Sequence, residues 1–330
     1  MLPRDEAGFG YASVLLSHLR AARASVAETA SSLINLPVLC CQEANGDVCQ
    51  AVPVAAAWWL LHLAAHVLDG IEDGEPDDAL WASLDKPQAL NAATGLIFVA
   101  QRALADLPRL GVSASLALAL VDDFGYTVLQ MCAGQHVDLA VQNTAADLSL
   151  EQYWAIAAAK SGDFFALACR AGALLGTEDT HRVARYTEFG YNLGVLLQIS
   201  DDLTDLWKSG RQNDLTAGQQ TLPILYALNV ASREQRVDLR QLLSRAPDDA
   251  EAEAKAQEMI INLGAPAYLL VEARVRHRRA KDALRAAGQF SPAYDQLLAL
   301  VDRVMPALSL IHPVGGVEDG LFPSPDDEGR

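Results

Sequence analysis

Basic residues are scarce in this sequence. Its 330 residues carry 25 lysines and arginines against 42 aspartates and glutamates, which leaves a formal net charge of −17, and only five of the basic residues are lysines. A chain this acidic has no broad positive surface for a polyanion, so we expect no binding to nucleic acid or to an anionic membrane surface. Any basic residue that lies among clustered acidic groups is instead a candidate for a specific role.

Cysteines at CxxC spacing are missing as well, and we expect no targeting segment. The five cysteines include no CxxC pair and most lie among apolar residues, so we predict a reduced, cytoplasmic protein without a disulfide framework. Residues 1–10 contain charged side chains and no apolar run, so we do not expect a signal peptide. The apolar stretch 51–68 contains Pro53 and runs directly into acidic residues, and we interpret it as a buried core helix rather than a membrane span.

Strand patterns are nearly absent. Alanine and leucine instead recur at spacings of three and four residues along almost the whole chain. This pattern predicts an all-α protein, with helices at 11–33, 52–73, 88–107, 113–141, 150–175 and 181–207 and three or four more between 222 and 308. Because no linker divides the chain, we predict a single-domain helical bundle over residues 11–312, with a flexible N-terminus at 1–10 and a disordered tail at 313–330.

Carboxylates are concentrated at the ends of two apolar helices. The first group is Asp69, Glu72 and Asp73, and the second is Asp201, Asp202 and Asp205. Residues three or four apart share a helix face, so each group projects its carboxylates together, although like charges and the helix dipole both disfavour this arrangement. A single group of this kind is usually a solvated helix end, but two of them favour a site with a compensating cation. Clustered oxygen ligands point to magnesium bound together with substrate phosphates.

The two acidic groups belong to a longer set of motifs that resembles the trans-isoprenyl diphosphate synthase (polyprenyl synthetase) family. The family's two aspartate-rich motifs correspond to residues 69–73 and 201–205, its GQxxDL helix to 134–139, its lysine motif to 160–162, and the stretch after its second aspartates to 213–228. Order and spacing agree over residues 28–287. The chain is therefore identified as a divergent member that resembles the terpene synthase-like variants of the family, which are class I isoprenoid enzymes.

The resemblance implies a helical bundle around a deep apolar cavity with three Mg²⁺ ions at its mouth, bound together with the diphosphate of an allylic prenyl substrate. The metal ligands would be Asp69, Asp73, Asp201 and Asp205. Lys160 would contact the diphosphate, with Gln198 and Lys208 as further contacts. The ions and the lysine would stabilise the leaving diphosphate, while a dry cavity shields the allylic cation from water. The family usually forms homodimers, and we expect one here.

The apolar helix before the first acidic group sets the depth of the expected cavity. Ala65 is small and would leave the upper part open, whereas Trp58 would form a floor about 16 Å below the metals at about 1.5 Å per residue. That depth would admit about three to four isoprene units, so we expect a C15 or C20 substrate. The other residues predicted to line the cavity are Leu61, Gln135 and Phe164.

The sequence departs from the family pattern where a second substrate would bind. Ordinary members bind isopentenyl diphosphate through a cationic GKRxRP segment and through an Arg-Arg-Gly after the first aspartates. This chain has Leu33, Ile34 and Leu36 in place of the cations of the first segment, and residues 74–78 are acidic rather than basic. Losing about three to five charge-assisted hydrogen bonds of about 1.5–3 kcal/mol each would abolish useful binding of a second diphosphate.

Three hypotheses about function follow. We place first a terpene synthase-like reaction, in which the allylic diphosphate ionises and the cation cyclises or is quenched in the cavity. The alternative is a prenyltransferase that elongates its donor with isopentenyl diphosphate or prenylates a non-standard acceptor, with the basic run 274–281 as a source of substitute cations. The third is a non-catalytic partner subunit of an active homologue, suggested by Gly70 in place of the second aspartate of the first motif.

Overall fold

The structure is a computed structural model that describes residues 11, 15, 19, 33–72, 84–142, 148–207 and 214–305. These residues form helices and connecting turns, and no strand occurs among them. The predicted all-α class is therefore confirmed. The predicted N-terminal segment 1–10 and tail 313–330 lie outside the described residues.

The helices described over their full length are numbered here in chain order. They are α1 (Leu36–Glu43), α2 (Val48–Glu72), α3 (Lys86–Ala105), α4 (Ala114–Gln142), α5 (Leu150–Ala157), α6 (Asp163–Gly176), α7 (Thr180–Leu206), α8 (Asp214–Ala217), α9 (Leu222–Val230), α10 (Arg233–Arg245), α11 (Ala250–Asn262), α12 (Ala265–Ala287) and α13 (Pro292–Val304). A short 3₁₀ helix, Leu107–Leu110, follows α3, and a π-helical turn, Ala158–Gly162, joins α5 to α6.

The π-helical turn is the main departure from the predicted helices. We predicted one continuous helix over 150–175, whereas α5 ends at Ala157 and the next five residues widen into a π turn before α6 begins. A capping box formed by Ser149 and Gln152 fixes the start of α5, so the position of the turn is anchored from that side. Such turns are rare and frequently lie at functional sites. This one carries Lys160.

Helix α7 lies at the centre of the bundle, packed along α6 on one side and α12 on the other. Two glycines make its close approach to α6 possible. A Cβ atom on Gly194 would clash with the carbonyl oxygen of Ser161, and one on Gly190 would clash with that of Phe165. A larger residue at either position would therefore push α7 away from the π turn.

Two of the described helices, Val48–Glu72 and Ala114–Val141, are long and apolar enough to cross a membrane by length and composition alone. In the first, 56% of the most apolar window is buried, which fits the core helix that we predicted. In the second, only 22% is buried, so many apolar side chains of α4 face outward. Packing within the described part of the chain therefore does not cover this apolar face of α4.

A buried carboxylate joins the beginning of the bundle to its end. Glu43, at the end of α1, is fully buried, and its carboxylate accepts hydrogen bonds from the amides of Gln289 (2.7 Å), Phe290 (3.0 Å) and Ser291 (3.2 Å). The Ser291 hydroxyl also donates to it. Arg182 of α7 donates to the Glu43 carbonyl oxygen at 3.2 Å. Three distant parts of the chain therefore meet at one residue, Glu43.

We predict that Glu43→Ala lowers the free energy of unfolding by about 3 kcal/mol, because it removes a buried carboxylate that accepts several partly buried hydrogen bonds. Chemical denaturation followed by circular dichroism measures the change. The exposed neighbour Gln42 provides the control, since Gln42→Ala should change stability by less than about 0.5 kcal/mol. Equal stabilities of the two variants would contradict the prediction.

Candidate active site

Lys160 joins the first acidic group to a second helix. Its Nζ lies 3.2 Å from Asp69 Oδ1, at the end of α2, and 3.2 Å from Asp138 Oδ2, near the end of α4. Both ion pairs are partly shielded from water, because the exposed fraction of the Lys160 side chain is 25%. Three helical segments therefore converge on one ammonium group.

The next residue connects the same turn to the second acidic group. Ser161 donates its hydroxyl hydrogen to Gln198 Oε1 at 2.8 Å, and Gln198 Nε2 donates to Asp202 Oδ1 at 2.8 Å. Consecutive Cα atoms are about 3.8 Å apart. Because Lys160 contacts the first acidic group and Ser161 reaches the second, the two acidic helix ends lie on either side of the same π turn.

Asp202 anchors the second group rather than facing the cavity. It is buried and accepts hydrogen bonds from the Tyr153 hydroxyl (2.6 Å) and the Leu222 amide (2.9 Å) as well as from Gln198. Burial raises the pKa of Asp202, and these hydrogen bonds offset part of that effect. Its neighbours on the outer side are more accessible: Asp201 is exposed and Asp205 is half-buried.

The two carboxylates beside Lys160 keep it charged. Burial alone would lower the pKa of the ammonium group, but the charges of Asp69 and Asp138 and the hydrogen bonds to them outweigh burial, so the pKa lies above its ordinary value. Asp138 belongs to the GQxxDL motif, yet sequence reasoning gave it no role. Its spacing from Gln135, three residues and hence one helix turn, was the signal that could have placed it at the site.

The Gln135 side chain lies in α4 one turn before Asp138. Both of its polar atoms are buried, and neither has a hydrogen-bond partner within the described part of the chain. An unpaired buried amide is unfavourable by about 1–3 kcal/mol, so a native structure seldom keeps one without a reason. Gln135 is therefore a candidate for contact with a bound ligand, as its predicted place in the cavity suggests.

Aromatic rings pack below the acidic groups. Trp58 is 1% exposed, stacks on Phe164 with 4.9 Å between ring centres, and donates its indole N–H to the Phe164 carbonyl oxygen at 2.9 Å. The imidazole of His62, one turn above Trp58, stacks on Trp59 at 5.0 Å and lies 6.1 Å from Phe164. Trp58 thus packs firmly toward α6, and its predicted role as the cavity floor stays a prediction. Leu61 instead lines a cavity on the side of α3 and α4, and Ala65 is half-buried.

Two further predicted site residues, Asp73 and Lys208, lie outside the described residues. The basic run 274–281 does not form one cationic surface: His277 and Lys281 both contact Asp302 of α13, at 2.7 and 2.9 Å. Arg276 turns inward, with its guanidinium 5.4 Å from the ring centre of Trp154. The run therefore serves several separate contacts.

The donor set at the mouth suits magnesium. Asp69, Asp138, Asp201 and Asp205 offer only carboxylate oxygens, and no group of three histidine, cysteine, aspartate or glutamate residues in the described ranges is close enough to hold a metal alone. Magnesium commonly takes one or two carboxylates and completes its shell with water and substrate phosphate oxygens. The residues present fit that mode of binding.

The bundle is all-α, and its two acidic helix ends lie beside the π turn that carries the half-buried Lys160. The sequence matches the family model described as "Polyprenyl synthetase" over residues 23–260, and the chain belongs to the polyprenyl synthetase family. The predicted family and the prediction of an enzyme are thereby confirmed.

Several curated relatives match most of the chain. The "Short chain isoprenyl diphosphate synthase" of Methanothermobacter thermautotrophicus is 29% identical over 286 residues, which cover 82% of this chain and 84% of the relative. The "Tryptophan prenyltransferase ComQ" of Bacillus subtilis is 30% identical over 233 residues, which cover 69% of this chain and 71% of the relative. Isoprenyl diphosphate synthases and a tryptophan prenyltransferase therefore both occur among the relatives.

Solved structures share the fold. Geranylgeranyl pyrophosphate synthetase from Pyrococcus horikoshii has a TM-score of 0.78 and 20% identity, with 91% of each chain covered. Polyprenyl synthase from Caulobacter crescentus, complexed with calcium and isoprenyl diphosphate, has a TM-score of 0.75 and 21% identity, with 92% of this chain and 95% of that chain covered. At these identities the likeness concerns the fold.

The His62 imidazole is expected to make the folded protein less stable at acid pH. Burial, reinforced by the nearby His66, lowers the pKa of His62 to about 4, whereas an unfolded histidine titrates near about 6.5. Between these values the unfolded chain binds the proton and the native one does not, so stability is full above about pH 6.5 and is lost as the pH falls. We expect a loss of about 2 kcal/mol between pH 7.5 and 5.

Denaturation curves at the two pH values measure this loss. His62→Phe should remove it, because the aromatic ring fills the same site without a titrating group. His181→Gln, at an exposed position near the start of α7, is the control and should retain it. An unchanged pH dependence in His62→Phe would contradict the assignment.

Proposed function

We propose that the chain is a Mg²⁺-dependent prenyltransferase of the isoprenyl diphosphate synthase type. It would bind an allylic prenyl diphosphate of fifteen or twenty carbons at the acidic mouth and transfer the prenyl group to isopentenyl diphosphate. The observation that carries the proposal is the Lys160 ammonium, held charged between Asp69 and Asp138 on the π turn that also contacts the second acidic helix through Ser161. The relatives named isoprenyl diphosphate synthases support the same chemistry.

In this proposal Lys160 would donate a hydrogen bond to the diphosphate oxygen from which the prenyl carbon departs. Negative charge grows on that oxygen as the C–O bond breaks, and a charged donor already in position stabilises it more in the transition state than in the ground state. Bound Mg²⁺, expected as three ions held by Asp69, Asp73, Asp201 and Asp205, would neutralise further charge on the leaving diphosphate. The hydrogen bonds of Gln198 and Asp202 hold the second acidic helix end in place.

Prenyl transfer replaces cyclisation as the favoured hypothesis. The sequence analysis placed a terpene synthase-like reaction first because the cations for a second diphosphate are missing. The named relatives are synthases and prenyltransferases, which join a prenyl group to an acceptor, and they support the hypothesis that came second. We therefore do not propose cyclisation for this chain.

A second candidate is transfer to an acceptor without a diphosphate. Leu33 and Leu36, which stand where family members carry cations, are buried in the apolar core, with exposed fractions of 9% and 0%. Nothing in these side chains can bind a diphosphate. The similarity to a tryptophan prenyltransferase supports an aromatic acceptor, such as an indole side chain, as the substrate class for this candidate.

We predict that Lys160→Gln slows diphosphate release from farnesyl or geranylgeranyl diphosphate by about 100- to 1,000-fold, because the charged donor to the leaving oxygen is lost. A phosphate-release assay with pyrophosphatase and Mg²⁺ measures the rate. Lys255→Gln removes an exposed lysine that contacts only Glu251 among the described residues, and should leave the rate unchanged. A Lys160→Gln rate close to that of the wild type would refute the proposed role.

The same assay, with products identified by mass spectrometry, separates the two acceptors. A longer linear diphosphate that forms only with isopentenyl diphosphate supports chain elongation. A prenylated indole that forms from a tryptophan-containing peptide, with no elongation, supports the second candidate. Absence of diphosphate release from every C10 to C25 donor would overturn both.

We also propose that the chain forms a homodimer through the outer face of α3 and α4. Apolar side chains there are largely exposed: Phe98 (61%), Leu118 (70%), Tyr126 (63%) and Leu129 (67%). Monomeric proteins rarely expose contiguous apolar surface of this kind, so a second copy of the chain is a reasonable cover. The α4 residues recur at helical spacing and therefore share a face.

We predict that Leu118→Glu weakens the dimer, because it places a charge in an apolar interface. Light scattering after size-exclusion chromatography should show the wild type near twice the chain mass of 35.4 kDa and the variant shifted toward a monomer. Val271→Glu alters an exposed residue of α12 and is the control. A monomeric wild type would rule out this interface.

A further inference from the structure

Tyr153 is a buried tyrosine near the start of α5, on the segment that leads into the π turn. Its side chain is 6% exposed, and its hydroxyl donates a hydrogen bond of 2.6 Å to Asp202 Oδ2. Asp202 is itself 3% exposed and directly follows Asp201 in α7. The tyrosine hydroxyl therefore contacts the second acidic group from the interior of the bundle.

The segment that carries Tyr153 reaches α7 at a second point. Ser161, within the π turn, donates to Gln198 at 2.8 Å, and Gln198 donates to Asp202 Oδ1 at 2.8 Å. Together with the bond from Tyr153, these contacts close a ring that links α5, the π turn and α7. The ring fixes both the position of α7 along α5 and its rotation, because neither point of attachment can shift alone.

The rotation of α7 decides where its outer carboxylates lie. Asp201 and Asp205 are four residues apart and share a helix face. Asp202 is turned from Asp201 by about 100°, since an α-helix has 3.6 residues per turn. Asp201 is exposed and Asp205 is half-buried, whereas Asp202 is buried. Holding Asp202 in the interior therefore keeps the other two carboxylates on the side where the proposed metal ions would bind.

The carboxylate of Asp202 is shared by three donors. Gln198 bonds to Oδ1, whereas Tyr153 and the Leu222 amide both bond to Oδ2. A buried carboxylate needs such donors because it has lost its contact with water. Without the tyrosine hydroxyl, Oδ2 would keep only the Leu222 amide among the donors in the described part of the chain. The side chain would then gain by turning toward solvent, and that movement would rotate the end of α7.

Tyr153 is held in place by its own neighbours. Trp154 packs edge-on against it, with 5.3 Å between ring centres, and Arg276 of α12 lies over the Trp154 ring at 5.4 Å. The capping box of Ser149 and Gln152 fixes the turn from which Tyr153 projects. The hydroxyl is thus a donor on a rigid support, as the orientation of a binding group requires.

We propose that Tyr153 is a positioning residue, which holds the second acidic group in the geometry that binds diphosphate together with Mg²⁺. The inference rests on the proposed function, since it concerns the same diphosphate site. Tyr153 acts through Asp202 and does not itself contact the diphosphate. The sequence analysis gave this residue no role.

Tyr153→Phe tests the proposal, because it keeps the ring and removes only the hydroxyl. The probe is inorganic diphosphate in the presence of Mg²⁺, with binding measured by calorimetry. The affinity should fall about tenfold, as is usual when a hydrogen-bond partner that orients metal ligands is lost, and the number of sites should stay the same. The matched control is Tyr294→Phe, which alters another buried tyrosine, in α13, and should bind as the wild type does.

Hydrogen exchange of the metal-free protein gives a readout that needs neither metal nor turnover. The amides of residues 201–206 should exchange faster in Tyr153→Phe than in the wild type, whereas those of α13 should be unchanged. Wild-type exchange at 201–206, or wild-type affinity for the probe, would overturn the proposal. Fewer binding sites at unchanged affinity would also overturn it, because that result indicates a loss of folded protein rather than a displaced carboxylate.

A double-mutant cycle tests the route through Asp202. If the proposal is right, the variant that combines Tyr153→Phe with Asp202→Asn binds the probe no more weakly than the weaker of the two single variants. Effects that multiply would show that the two residues act independently and would contradict the proposal.

Failure of the proposed function gives a different result. A wild type that binds diphosphate with Mg²⁺ but releases none from any prenyl donor overturns the prenyltransferase proposal, and the binding and exchange experiments still decide the role of Tyr153. Conversely, wild-type turnover with unchanged binding and exchange in Tyr153→Phe overturns only that role.

Discussion

The arrangement of the site depends on one ammonium group between two carboxylates. Asp69 and Asp138 project from different helices toward the same point, and without a cation between them their charges would repel each other. Lys160 compensates both, and its partial burial strengthens the attraction relative to a pair on the surface. The residue that joins these two carboxylates is thus the one to which we assign the contact with the leaving diphosphate.

Lys160 reaches this point because of the backbone around it. The π turn widens the helix locally, so the side chains of Ala158–Gly162 are not distributed as in a regular α-helix. Gly194 allows α7 to approach this turn closely, which brings Gln198 within hydrogen-bond distance of Ser161. The five-residue π turn and the absence of a side chain at Gly194 therefore allow a contact between two acidic motifs that lie far apart in the sequence.

The sequence predicted the features that depend on local periodicity. The all-α class followed from apolar spacing, and the two acidic helix ends from carboxylates at four-residue intervals. The contacts of Asp138 with Lys160 and of Tyr153 with Asp202 join residues 22 and 49 positions apart, and no spacing rule specifies such pairs. The π turn was missed because its residues continue the helical pattern on both sides.

In the proposed reaction, charge compensation would govern which acceptor the site can take. The negative charge of an allylic diphosphate has to be balanced by cations, and Lys160 together with bound metal ions would balance it. A second diphosphate would double the negative charge to be balanced, whereas Leu33 and Leu36 offer only apolar surface where a cation would be needed. Elongation therefore requires cations from elsewhere, such as the residues beyond Asp205 or the ions themselves. A neutral acceptor adds no negative charge and needs no further cation. The identity of the acceptor would therefore depend on how much positive charge the site can supply.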